Sequence, residues 1–412
     1  MKKIARFFAS LKLTVVLLAL AMVLVFIGTL AQVDEGLYGT QTHYFKQWLV
    51  WGTNLAGHHI PLILPGGYLL GTLLLVNLVV AHLVRFQLKP QKLGLQLAHA
   101  GIIVLIAGQL ATDLVSREWQ MRLTEGETRS YSDSTTEQEL VFISGQEVAA
   151  IPEKMLKPGI TLTNKNLPFT LRVKAYWRNS EVNFRAPMVS NAPPLAPNGI
   201  ATNFDFSQAD DLQTAGQRNV PTVMLELAAP AGSLGTWVAS GWAGDAALVG
   251  AVRDSYAPMG PELAQKIADR LVVPQTIVAD GKPFTFTLRP QRIPHPFSLT
   301  LLKATHTVYP GTDIPKDFRS RVRIDNALTG ERREVEISMN HPLRYGGYTY
   351  YQYQMNAGAA APGTGSVPNS VLSVVRNPGW LTPYLGCAMV GVGLLIQFFQ
   401  HLVGFVSQPR KK

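Results

Sequence analysis

Cysteine is nearly missing from this 412-residue chain: the one thiol, Cys387, sits in an apolar run. No internal disulfide can form, and neither the CxxC of a thiol oxidoreductase nor the CxxCH that attaches c-type haem is present. Redox chemistry at sulfur or covalent haem attachment must therefore be supplied by another protein. Charge is sparse too, at 16% of residues against 47% hydrophobic, which is too little for an ordinary soluble protein of this length. Also lacking are a Walker loop, a GxSxG elbow, a GxGxxG in strand-turn-helix context, and an HExxH or Cys/His cluster. A zinc site or a self-contained enzyme is not expected. His58 and His59 are adjacent, a spacing that rarely lets both rings ligate one metal.

Acidic residues are missing from three short segments that hold ten basic ones: Lys2, Lys3, Arg6 and Lys12; Arg85, Lys89 and Lys92; Arg410, Lys411 and Lys412. Removing these ten from the 37 Lys and Arg leaves 27, equal to the 27 Asp and Glu. The formal charge of +10 is thus a topology signal, and no nucleic-acid partner is expected.

What is present in abundance is long hydrophobic runs. Four reach the roughly 20 residues that cross a bilayer: Leu13–Val33, Leu64–Val84, Leu93–Val115 and Gly379–Phe405. Each basic segment lies at an end of these runs, and the positive-inside rule gives one path with both termini cytoplasmic. Thr29-Leu30-Ala31 is an acceptable signal-peptide cleavage site, but the apolar core is longer than a typical h-region, so a retained span is expected.

The implied order is a cytoplasmic N-terminus and first span (1–33), an extracytoplasmic loop (34–62), two spans joined by a basic turn (63–115), a large extracytoplasmic domain (116–378), and a last span with a basic tail (379–412). The expected fold class is membrane α/β: four transmembrane helices with one mostly β domain inserted between the third and fourth. Alternating stretches at 168–177, 220–228, 283–290, 296–311 and 333–340 predict strands. Gly346-Gly347 predicts a hairpin that sets Tyr348, Tyr350 and Gln352 on one face and Tyr351 and Tyr353 on the other. A helix is predicted at 261–271, a loop at about 190–215, and a flexible connection at 356–370.

The run LQLAHAGIIVLIAGQL (95–110) carries His99 six residues into the third span, roughly 9 Å below the boundary at 1.5 Å per residue. An ionisable group at that depth is costly and points to function. Gln96 and Asp113 fall on roughly the same side, and Ala100, Gly101, Ala107 and Gly108 invite close helix approach. His82, near the same end of the second span, can bring a second imidazole to similar depth. Imidazole ligates iron well, and Arg85, Lys89 and Lys92 suit haem propionates. Helix packing by His99 or a proton relay through His and Asp are the alternatives. Trp48 and Trp51 read as interfacial anchors.

Several stretches together resemble the ResB (CcsB) family of the system II cytochrome c maturation pathway. They are SLKLTVVLLALAMVLVFIGTLAQVDEGLY, YFKQWLVW, LAHAGIIVLIAG, PGTDIPKDFRSRVRI and NHPLRYGGYTYYQYQM. The resemblance implies an inner-membrane subunit that binds haem b and works with a CcsA (ResC) partner carrying a WWD motif. Together the pair would move haem outward for attachment to apocytochrome c, with thiol-reducing proteins supplying reduced thiols. It would be an accessory rather than a catalytic part of a holocytochrome c synthase complex. By motif match His99 is the axial haem-iron ligand, with His82 a second candidate for the pocket. This chain has no WWD motif, so the haem-presenting half would be a separate polypeptide. The rival reading is a membrane-anchored scaffold whose β domain docks apocytochrome or assembly partners without binding haem. Asn340, Tyr345 and Gln352 are assigned to folding of the β domain.

Overall fold

The computed structural model describes residues 2–55, 58–84, 89–185, 193–212, 219–312, 315–356 and 368–406, arranged as two compact units. Arg85, the basic tail at 410–412 and most of the connection at 356–370 lie outside the described residues.

The first unit is helical. A short helix α1 (Lys2–Phe8) leads into α2 (Leu11–Thr40), followed by α3 (Gly67–Val84), α4 (Leu93–Val115) and, after the β domain in chain order, α8 (Thr382–Val406). The last four contain segments long and apolar enough to cross a membrane. The first extends beyond the predicted Val33: it breaks at Gly36 and passes into a π-helical turn, Gln41–Phe45. The expected loop at 34–62 therefore holds helix, π-turn and a hairpin of Leu49–Leu55 with His58–Pro65. The second helix starts at Gly67, three residues later than predicted, because Leu64 and Pro65 belong to the hairpin.

Glycines decide how α4 meets α8. Gly94, Ala98, Gly101 and Gly108 are buried along one stripe. A Cβ on Gly101 would come within 2.8 Å of the Gly386 carbonyl oxygen, and one on Gly393 within 2.6 Å of the Gly94 carbonyl oxygen. The seven-residue spacing keeps the two backbones in near contact along the shared length. Ala107, expected in this stripe, faces outward instead, since it lies about 100–180° around the helix from the buried positions. Elsewhere in the unit, Asn77 is buried and accepts from the Thr14 hydroxyl at 2.7 Å, while its amide donates to the Phe8 carbonyl, pinning the α1–α2 junction to α3.

The second unit is mostly β. A ten-stranded antiparallel sheet and a four-stranded sheet share a core in which Phe142, Phe286 and Leu140 of the first meet Leu171, Val173 and Leu225 of the second. A second core, around Phe297, Leu301, Ile324, Tyr350 and Val374, belongs to the other half of the large sheet. Both cores rest on one strand, Lys282–Val308, which the sequence pattern divides into two. Phe284, Phe286 and Leu288 are buried before the break, and His295, Phe297 and Leu299 after it, so the inward positions change from even to odd. Register shifts between Pro290 and Arg292, and between Pro294 and Leu299, produce this change. Pro290, Pro294 and Pro296 cannot donate to a ladder, so irregular pairing is where they fit.

The helix at Pro261–Leu271 (α7) forms as predicted, and it is joined by two not anticipated, α5 (Gly241–Gly244) and α6 (Ala246–Tyr256). The stretch read as a loop at 190–215 contains a strand, Phe204–Gln208, paired with Ser180–Phe184. Its apolar content is only Phe204 and Phe206, and those two are buried under α6 and α7. The Gly346-Gly347 turn pairs Tyr345 with Tyr348 at φ of 59° and 81°, the left-handed values a type I′ hairpin needs. Tyr350 is fully buried while Tyr351 and Tyr353 are exposed, as the alternation predicts.

Candidate functional site

His99 projects from α4 on the side away from the glycine stripe, about 140° around the helix from its centre. Its Nδ1 lies 2.8 Å from the Leu95 carbonyl oxygen. A carbonyl can only accept, so Nδ1 carries a proton, which leaves Nε2 as the nitrogen able to offer a lone pair. A hydrogen bond of this kind fixes tautomer and ring orientation in metal-binding histidines. The ring is half-buried.

His82 is in the last turn of α3 and is also half-buried. A third histidine belongs to the same end of the unit. Gln400 donates to the Pro90 carbonyl at 2.7 Å, which places the end of α8 beside the start of α4. His401 follows directly, hydrogen-bonded to Gln397 at 2.7 Å, and Gln397 in turn faces Gly94. Sequence reading passes over His401 because nothing in the local pattern links residue 401 to residue 90. No group of three or more His, Cys, Asp or Glu is placed to hold a metal ion among the described residues. Lys89 and Lys92, at this end, are exposed.

Asp113 does not join His99. It lies near the opposite end of α4, in an ion pair with Lys46 at 2.8 Å and accepting from the Tyr68 hydroxyl. These groups border a cavity of about 740 Å³ among α2, the π-turn, α3 and α4, which neither His99 nor His82 lines.

In the β unit, His295 is buried with its Nε2 2.7 Å from Ser132 Oγ, and its Nδ1 has no partner. Burial lowers its pKa to about 4. A serine beside a histidine suggests hydrolysis, but no carboxylate orients this ring, and Ser132 is wholly inaccessible. The pair is part of the packing with Phe297 and Tyr348. Tyr345 donates to Glu331 at 2.7 Å, and Gln352 accepts from Ser320 at 2.6 Å. Asn340 takes φ of 65° in the turn between Ser338 and His341. Tyr345 and Gln352 make hydrogen bonds within the β unit and Asn340 sits in one of its turns, a placement compatible with the structural role expected of them. Trp48 and Trp51 are exposed on the first hairpin.

Fold and side chains together define a chain with four helices long and apolar enough to cross a membrane and a large, mostly β unit, with no recognisable catalytic constellation among the described residues. A family described as the ResB-like family matches residues 271–368. The match begins at the end of α7 and runs through the long strand and the second core to the tyrosine hairpin. Protein NrfI of Wolinella succinogenes is 32% identical over 123 residues, 29% of this chain and 12% of that relative. The aligned part is thus a small fraction of NrfI. Residues 271–368 are thus similar to the ResB-like family, and two of the motifs quoted above, at 310–324 and 340–355, fall within that stretch.

Proposed function

We propose that this protein is a membrane subunit of cytochrome c biogenesis that holds haem b through His99 Nε2. With a CcsA/ResC-type WWD partner it would move haem outward for attachment to apocytochrome c. The observation that carries the reading is the His99–Leu95 hydrogen bond, which leaves a ligating lone pair on a ring half-accessible within an apolar helix. A neutral imidazole on a hydrocarbon-embedded helix is the donor that haem iron takes. Haem, when bound, would supply the iron; His99 Nε2 would hold it, and Lys89 and Lys92 would face its anionic propionates. A further ligand to the iron would come from a residue of the partner. His82 and His401 lie toward the same end and are the reserve candidates within the chain.

In this reading thiol-reducing proteins act separately, because the chain has no thiol pair. The path is that of the basic segments: both termini in the cytoplasm of an inner membrane and the β unit outside. The test is the visible spectrum of the protein co-purified with its WWD partner. His99→Ala should remove most of the Soret absorbance, and added imidazole should restore part of it in His99→Gly. Full haem content in both variants, with cytochrome maturation intact, would refute the assignment and leave the docking scaffold as the better account.

A further inference from the structure

The cavity bordered by Lys46 and Asp113 is not explained by haem binding at His99. At about 740 Å³ it has the size of a small-molecule site, which is about 300–1,000 Å³. Its walls are mainly apolar, with Phe45, Leu75, Leu105 and Ile106 among them. Gln32, Gln41 and Gln109 also line it, and their exposed side chains face its open space. They set hydrogen-bonding groups beside apolar walls, a combination that matches an occupant with a polar end and an apolar body.

The charge balance narrows that occupant. Lys46 and Asp113 neutralise one another, leaving no surplus cation to hold an anionic head group. Two ammonium protons of Lys46 and the glutamine amides remain as donors. No histidine, cysteine or methionine lines the cavity, so it presents no ligand to iron. Donors at one end and hydrocarbon walls around the rest suit an uncharged carbonyl head on an apolar body.

Gly71 supplies an independent observation. It lines the cavity from the interior of α3, and a Cβ built there meets nothing within 4 Å. Glycine is a poor helix residue, and here no approaching backbone requires it. Its missing side chain serves to keep the volume open. The π-turn provides Gln41 and Phe45 to the same wall, and such turns recur at functional sites.

We propose that the cavity among α2, α3 and α4 binds a lipid-soluble quinone, its carbonyl end at Lys46 and the glutamine amides. No electron transfer is assigned to it. The full-length protein in nanodiscs would be titrated with decylubiquinone, followed by tryptophan quenching; Trp48 lies 6.2 Å from Tyr68, ring to ring, and serves as a nearby reporter. Saturable binding at one site is expected, weakened about tenfold or more by Gly71→Leu. Gly391→Leu on α8, where a Cβ also meets nothing, should bind as the parent does. His99→Ala should retain quinone binding, which separates this proposal from haem ligation. Unsaturable quenching, equal affinity in Gly71→Leu, or equal weakening in Gly391→Leu with native circular dichroism would overturn it.

Discussion

His295 and His99 sit in different surroundings, the first buried in the β unit and the second half-buried on an apolar helix. His295 packs between Phe297 and Tyr348, and burial lowers its pKa to about 4 from an ordinary 6.5. The unfolded chain therefore binds more protons between those values, and stability falls as pH drops from about 6.5 toward 4, then levels off. The loss amounts to roughly 2–3 kcal/mol, at 1.36 kcal/mol per pH unit and allowing for local relaxation. Denaturant midpoints of the detergent-solubilised protein at pH 7, 5.5 and 4.5 will show the decline, and His295→Gln should flatten it. An equal slope in the variant would assign the pH response to other groups. His99 shows instead one ring nitrogen held by its own helix, at the Leu95 carbonyl.

Between elements, the closest approach is that of α4 to α8, where glycines occupy positions 94, 101, 386 and 393. Any side chain at Gly101 must displace the Gly386 carbonyl or Val390. Gly101→Leu is expected to cost about 1–3 kcal/mol or more through overpacking, read as a lower thermal midpoint in detergent. Gly391→Ala, in open space on α8, should leave the midpoint unchanged or raise it through better helix propensity. If both changes act alike, helix propensity rather than close packing governs this pair. The long strand Lys282–Val308 raises a comparable issue in the β unit. Alternation marks each half correctly, but the prolines that look like strand ends are accommodated by register shifts, and pairing continues through them.

On the scale of the whole molecule, the basic segments and the four apolar helices make one arrangement testable by chemistry the chain nearly lacks. With Cys387→Ser removing the single thiol, Lys154→Cys in the β unit should react with an impermeant maleimide from the outer side of intact spheroplasts. Lys92→Cys should react only after the membrane is opened. The opposite pattern would invert the proposed path and place His99 in the outer leaflet.

Helix length, charge asymmetry and the tyrosine hairpin were legible because each is a property of contiguous residues. Hydrophobic length, a local excess of lysine, and a Gly-Gly step need no distant partner to be recognised. The strand Phe204–Gln208 was hidden, since two phenylalanines in a polar stretch acquire meaning only against α6 and α7. The small-residue stripe on α4 was half-read: Gly101 and Gly108 face α8, while Ala107 does not.

The sequence by itself determined that this chain has four membrane-length helices, a β unit between the last two in chain order, and one imidazole deep in an apolar run. Only the tertiary structure decided which groups meet. It pairs Asp113 with Lys46 and Tyr68 rather than with His99, turns His99 away from the helix that packs on α4, brings His401 to the same end, and opens a cavity at Gly71. The reason is physical: burial and period act along the chain, whereas ion pairs, close glycine contacts and cavities depend on residues that sequence separates by tens to hundreds of positions.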